Sequence, residues 1–207
     1  MLTSSIPIRV LVAGAGAFGR EHLDRLAGRS DVSLVGVADT NPAALEAIKS
    51  RYGIINCRTD PLRLIDDLDA GAIIIATPAG SHVEICMRAL SRNLCALLEK
   101  PIAPSAAVAT PLVSSARSSS GFVLPGHVLR FSHDHARLIE IVHSGRIGEV
   151  VYVNSRRYRD DSHAVRYPDT DPILMTLIHD IDLALWVTNS DIHSVLARRS
   201  GTPATGR

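Results

Sequence analysis

Cysteine is scarce: Cys57, Cys86 and Cys95 are all the chain has, and no metal-ligand spacing relates them. An odd number at such intervals argues against a disulfide framework and a zinc site, and reads as reduced core thiols of a cytoplasmic protein. Net charge is scarce too. With 22 basic and 21 acidic residues the formal charge is +1, which gives no reason to expect nucleic acid or an anionic membrane surface as partner. No apolar run approaches the ~20 residues that span a bilayer. The first apolar run has no basic segment before it and is broken by glycines, so it does not read as a signal peptide. No internal repeat stands out. What is present is an ordinary globular balance, 46% apolar and 21% charged over 207 residues, enough for one full domain and part of a second.

Short β-branched or apolar runs alternate with helical patterns as far as His127. Strands are expected at Ile8–Ala13, Ser33–Ala38, Ala72–Ala76, Leu94–Leu98 and Phe122–His127, with a weaker one near Ile55–Arg58. Helices are expected at 17–27, 42–51, 61–68, 81–91 and 105–118. Asn41-Pro42 is a good helix start, and Pro111 predicts a break or a late start in the last helix. This order implies an α/β fold, a doubly wound parallel sheet over residues 1–127.

After Pro125-Gly126 the pattern changes. A helix is expected over 134–144, a long strand in "GEVVYVNSRRYR", a polar loop over 159–171, a second helix in "PILMTLIHDIDLALWV" and a further strand at Ile192–Arg198. Residues 128–198 then form a partial α/β unit with an open sheet, and 199–207 have the composition of a disordered tail. So small a unit needs packing on the first domain or on another copy. An unpaired strand edge invites association, so a homo-oligomer through the second unit is expected.

Gly14, Gly16 and Gly19 give a G-x-G-x-x-G spacing between a strand and a helix, with Ala17 and Phe18 in the same turn. Gly14 permits the tight turn, Gly16 lets backbone approach a pyrophosphate, and Gly19 allows close packing of helix on strand. The spacing alone also occurs in methyltransferases, and it gains weight from the strand before it and the helix after it. Asp39 ends the second strand, where a carboxylate accepts from an adenosine ribose, a bond worth about 1.5–3 kcal/mol. It would repel a 2′-phosphate, which favours NAD over NADP. The alternative is that Asp39 only begins the turn "DTNP".

Ligands of open parallel sheets bind beyond the carboxyl ends of the strands, and three strands here end in "IIIATPAGSH", "LLEKP" and "LPGHVLRF". Thr77 and Pro78 are expected along the cofactor, Gly80 or Ser81 as a helix cap, and His82 in the first turn. Glu99 and Lys100 put charge at the mouth of the core. A lysine there is by default a side chain snorkelling to water, and the stiff Pro101 after it and the acid before it argue for more.

"AGAGAFG", "VAD", "ATPAGSH", "EKP", "GHVLRF", "GRIGEVVYV" and "HDIDLALW" stand in the order and spacing of the Gfo/Idh/MocA oxidoreductases, which the chain resembles from about Ile8 to Val187. The resemblance implies an N-terminal Rossmann domain, a C-terminal α/β domain with a large open sheet, and NAD(P)-dependent chemistry on a sugar, nucleotide-sugar or cyclitol. It makes Lys100 the lysine that hydrogen-bonds the reacting oxygen beside the nicotinamide, Glu99 a holder of loop and cofactor, and His179 the active-site histidine. Many members carry an aspartate four residues before that histidine; here the position is Met175. A general acid or base is worth about 10²–10⁴-fold, and Asp182 is placed to orient His179. His127, Arg130 and Tyr167 are candidate substrate or pocket-wall residues, as are Asp169 and Asp171. No metal site is expected, because neighbouring ligands of "HDID" face different directions on a helix. The missing aspartate and the short second unit leave a second possibility open, a catalytically silent dinucleotide-binding regulator.

Overall fold

Alternation within the first strand decides where its side chains go. In β1 (Ile8–Ala13), Val10 and Val12 turn to one face of the sheet and Leu11 and Ala13 to the other. All four are buried, as a strand covered by helices on both faces requires. A computed structural model describes residues 6–158, 171 and 173–198. After β1 the chain forms α1 (Ala17–Leu26), β2 (Val32–Ala38), α2 (Pro42–Tyr52), β3 (Cys57–Arg58) and α3 (Pro61–Asp67). It continues with β4 (Ala72–Ile75), α4 (His82–Ser91), β5 (Cys95–Leu98), α5 (Ala106–Ser118) and β6 (Val123–Pro125). The six strands pair in parallel in the order β3-β2-β1-β4-β5-β6.

This order reverses direction between β1 and β4, which opens a crevice at their carboxyl ends. Leu11, Ile73, Ile75 and Leu98 pack beneath α3, α4 and α5 on one face; Val12, Val37 and Ile74 pack with Leu23 and Ile48 on the other. Each such side chain contributes about 1.5–3 kcal/mol on leaving water. Helix starts follow from local chemistry. Asn41 accepts from the Ala43 amide and Asp60 from the Leu62 amide, with proline at the first helical position in both. The α4 start differs from expectation: a 3-10 turn, Ala79–Ser81, precedes it, and Ser81 Oγ bonds Thr77 and the Pro78 carbonyl instead of capping.

Pro111 does not break α5. It is exposed, as is Ala107, whose carbonyl would have received the missing N–H. The three cysteines are free thiols, and burial pushes Cys86 up to about 12.

Beyond β6 a 3-10 turn, Val128–Phe131, leads into α6 (His133–His143). The expected long strand at 148–159 is not formed in its described part: residues 149–158 run without regular structure. A strand exists only as one side of a ladder, and among the described residues no neighbouring strand is offered to it. Ile192–Arg198 is irregular for the same reason. The second helix opens as a π-helical turn, Ile173–Leu177, and continues as α7 (Ile178–Thr188). Ile139, Val142 and Val187 form a small core between α6 and α7, with Trp186 against it. Tyr167, Asp169 and the 199–207 tail lie outside the described residues. Among the described residues no helix is long and apolar enough to cross a membrane.

Candidate active site

The crevice begins where β1 turns. Gly14 has φ +98, and a Cβ on it would lie 2.5 Å from the Ala76 carbonyl oxygen, so only glycine lets the first loop pass this close to the end of β4. A Cβ on Gly19 would collide with the Gly14 carbonyl, which brings α1 hard against the loop. Gly16 has nothing within 4 Å of an added Cβ and faces open space. Asp39 ties this loop to β2: one carboxylate oxygen accepts from the Ala15 amide at 2.6 Å and the other from the Asn41 amide at 2.8 Å. Each oxygen keeps a further lone pair for a ligand hydroxyl.

Two cavities share the wall Gly16, Ala76, Thr77 and Pro78. The first, of about 470 Å³, is lined also by Asp39, Asp60, Ser81 and Glu84. The second, of about 290 Å³, is lined by Ala17, Phe18, His82, Glu99, Lys100, Pro101 and Met175. An adenosine end beside the carboxylates and a reactive end beside Lys100, joined across glycine backbone at a helix N-terminus, is the shape a dinucleotide needs. NAD fits these residues on that ground, and the three carboxyl groups of the first cavity disfavour a 2′-phosphate.

Lys100 follows β5 through a cis peptide to Pro101. Its Nζ donates to the Met175 carbonyl at 3.4 Å and lies 5.6 Å from the Phe18 ring centroid. Glu99 accepts from the Lys100 amide at 3.3 Å and meets His22 Nε2 at 2.9 Å. Burial works to raise the Glu99 carboxyl, but the hydrogen bonds and positive charges of His22 and Lys100 outweigh it and hold the group below its ordinary range. His82 departs from a cofactor-binding role for its polar atoms. It is 1% exposed, and its Nδ1 and Nε2 face the backbone carbonyls of Pro101 and Thr77 at 2.8 and 2.7 Å. It lines the cavity and ties the loop after β4 to the loop after β5.

Met175 reaches the cavity from the second unit, and the carboxylate expected four residues before His179 is replaced there by a thioether and a backbone carbonyl. His179 is buried one helical turn further on and is not among the lining residues of that cavity. Asp182 does not orient it. Its carboxylate receives both arms of the Arg130 guanidinium at 2.8–3.1 Å, and His127 Nδ1 stands 3.7 Å away. Arg130 also lies over Trp186 at 5.3 Å, so Arg130 and Asp182 clamp α7 to the turn after β6. Asp180 is held by Arg157 and Ser155, and Asp171 caps the π-helical turn through the Ile173 amide.

Sequence reasoning missed His22. Its signal was present: Gly19, His22, Leu23 and Leu26 fall at the spacing of one helix face, so a histidine stood on the side that α1 turns to the sheet.

Residues 8–127 match the family model described as "Oxidoreductase family, NAD-binding Rossmann fold", and residues 135–206 match "GFO/IDH/MocA C-terminal domain". Inositol 2-dehydrogenase 4 of Saccharopolyspora erythraea is 29% identical over 205 residues, 97% of this chain and 60% of its own length. The crystal structure of myo-inositol 2-dehydrogenase from Lactobacillus plantarum superposes with a TM-score of 0.83 at 25% identity, over 90% of this chain and 57% of that one. The myo-inositol dehydrogenase from Lactobacillus casei, solved in complex with NAD(H) and myo-inositol, gives 0.75 at 26% identity, over 89% and 55%. The chain therefore spans somewhat more than half the length of these relatives.

Proposed function

The chain belongs to the Gfo/Idh/MocA oxidoreductase family, and we propose that it moves a hydride between NAD and a hydroxyl- or carbonyl-bearing carbon of a polyol. A cyclitol is the first choice, because the relatives it matches are inositol dehydrogenases; sugars and nucleotide-sugars are the wider class. The observation that carries the proposal is the place of Lys100, in the lining of a cavity that shares the wall Gly16, Ala76, Thr77 and Pro78 with the cavity beside Asp39.

Gly14, Gly16 and the α1 N-terminus would hold the pyrophosphate, Asp39 the adenosine ribose, and Thr77 and Pro78 the wall toward the nicotinamide. NAD, when bound, supplies the hydride acceptor or donor. The Lys100 ammonium donates a hydrogen bond to the reacting oxygen and stabilises the negative charge that develops there. Glu99 keeps the loop in place. His179, one turn beyond Met175 and outside the lining of this cavity, is the candidate for the proton that leaves or joins that oxygen. His127, Arg130 and Asp182 form the wall where the two units meet. Association of copies through the second unit belongs to the same reading and is supported by Val151 and Tyr152, 94% and 78% exposed.

The test is transfer of deuterium from 4-deuterated NADH to a panel of keto-cyclitols and keto-sugars. Incorporation is expected, and Lys100→Ala lowers the rate by at least about 10²-fold, as loss of one oriented donor does elsewhere. NAD bound by calorimetry with no incorporation across the panel would overturn the proposal. It would favour the second reading, a dinucleotide-binding regulator without turnover, which one observation supports: the cavity wall has the Met175 thioether where a carboxylate would serve acid–base chemistry.

A further inference from the structure

One place beyond β1, the Gly14 N–H still reaches across to the Ala38 carbonyl at 2.7 Å. Ala15 follows with no exposed surface, so its N–H and C=O need partners within the protein. Side chains supply both. The carboxylate of Asp39, just past β2, accepts from the Ala15 amide at 2.6 Å. The guanidinium of Arg20, on α1, donates through Nη1 to the Ala15 carbonyl at 3.0 Å. An anion at the N–H and a cation at the C=O make both bonds charge-assisted. Gly16, next in the chain, is the N-cap of α1 and brings no side-chain cap to its amides. The first amides of a helix have no carbonyl four residues back, and an anion is a natural partner for them. Where they point depends on the residue before them, which is Ala15. Arg20 itself lines neither cavity, and its own amide donates to the Gly16 carbonyl at 3.0 Å.

We infer that Arg20 is a positioning residue for the pyrophosphate turn. With Asp39 it grips Ala15 by its two polar ends and fixes the turn before a cofactor arrives. The amides at the start of α1 then meet the pyrophosphate already in place. The inference rests on the reading of this turn as the pyrophosphate seat, but its first measurement needs no ligand.

Arg20→Met and Arg20→Lys compare two long side chains, one without a donor and one with the single N–H that the carbonyl takes. Hydrogen exchange of the ligand-free full chain, resolved to single amides, reads the Ala15 N–H. In Arg20→Met it exchanges about tenfold faster, the low end for losing a hydrogen bond to a charged group, while the β1 and β4 amides are unchanged. Removing a positive charge by itself slows base-catalysed exchange, because less hydroxide gathers near the amide, so acceleration reports the lost grip. Calorimetric titration with NAD gives a Kd about tenfold higher in Arg20→Met, since the turn must now be ordered on binding. Arg20→Lys restores both values. An unchanged Ala15 rate in Arg20→Met overturns the inference even where NAD binds more weakly, because a guanidinium touching the phosphates directly would give that pattern. Equal acceleration in β1 and β4 overturns it too, as does a lysine that restores neither value. Faster Ala15 exchange with Kd for NAD unchanged would sink the pyrophosphate seat, and with it the role of Arg20.

Discussion

At Glu99, burial and hydrogen bonding act on one carboxyl in opposite directions. Burial works to raise it, and the partners His22 and Lys100 lower it further than burial raises it. A carboxyl depressed in the folded state contributes stability that is full above its ordinary value of 4.5 and is lost as pH falls through the lower folded value. The thermal midpoint should therefore drop as pH falls from about 4.5, in a window set by this group. Glu99→Gln should flatten that part of the profile. Unfolding curves of the two proteins from pH 3 to pH 6 check this, and superimposable profiles would count against the assignment.

Among the elements, α7 depends most on a few contacts. The Arg130 fork on Asp182 and its stacking on Trp186 hold this helix to the turn after β6. A half-exposed bidentate pair with one aromatic contact is worth about 1 kcal/mol. Arg130→Ala should thus speed hydrogen exchange of the α7 amides about fivefold, leaving β1 and β4 unaffected. Arg130→Lys should not restore the protection, because an ammonium lacks the planar fork. Equal acceleration in the sheet would show a global effect instead.

The same scale shows what the sequence made legible. The apolar run that ends at the glycine turn marked β1, which runs Ile8–Ala13 as expected, and Asn41-Pro42 placed the start of α2. Local patterns carry such elements. The run "GEVVYVNSRRYR" has the composition of a strand, yet composition provides no partner, and the segment stays irregular. Pro111 misled because its effect depends on the direction it faces. At the site, the spacing of glycines and "EKP" located Lys100 and the loop that Gly14 makes. The pairing of His22 with Glu99, 77 positions apart, and that of Arg130 with Asp182 are products of tertiary approach and leave no local pattern.

Over the whole molecule, the two cavities and their shared wall at Ala76, Thr77 and Pro78 bear on how a ligand is held. A ligand cut at its middle would leave two fragments, each filling one cavity and each losing its own freedom of movement. Titrations with AMP and with nicotinamide mononucleotide should give dissociation constants whose combination falls short of intact NAD by about 10²–10⁴-fold. AMP alone matching the intact molecule would mean that the second cavity adds nothing. The pyrophosphate that joins the two halves would cross the wall the cavities share, and it works as a tether: once one half has docked, the other meets its seat at a local concentration that free solution never reaches.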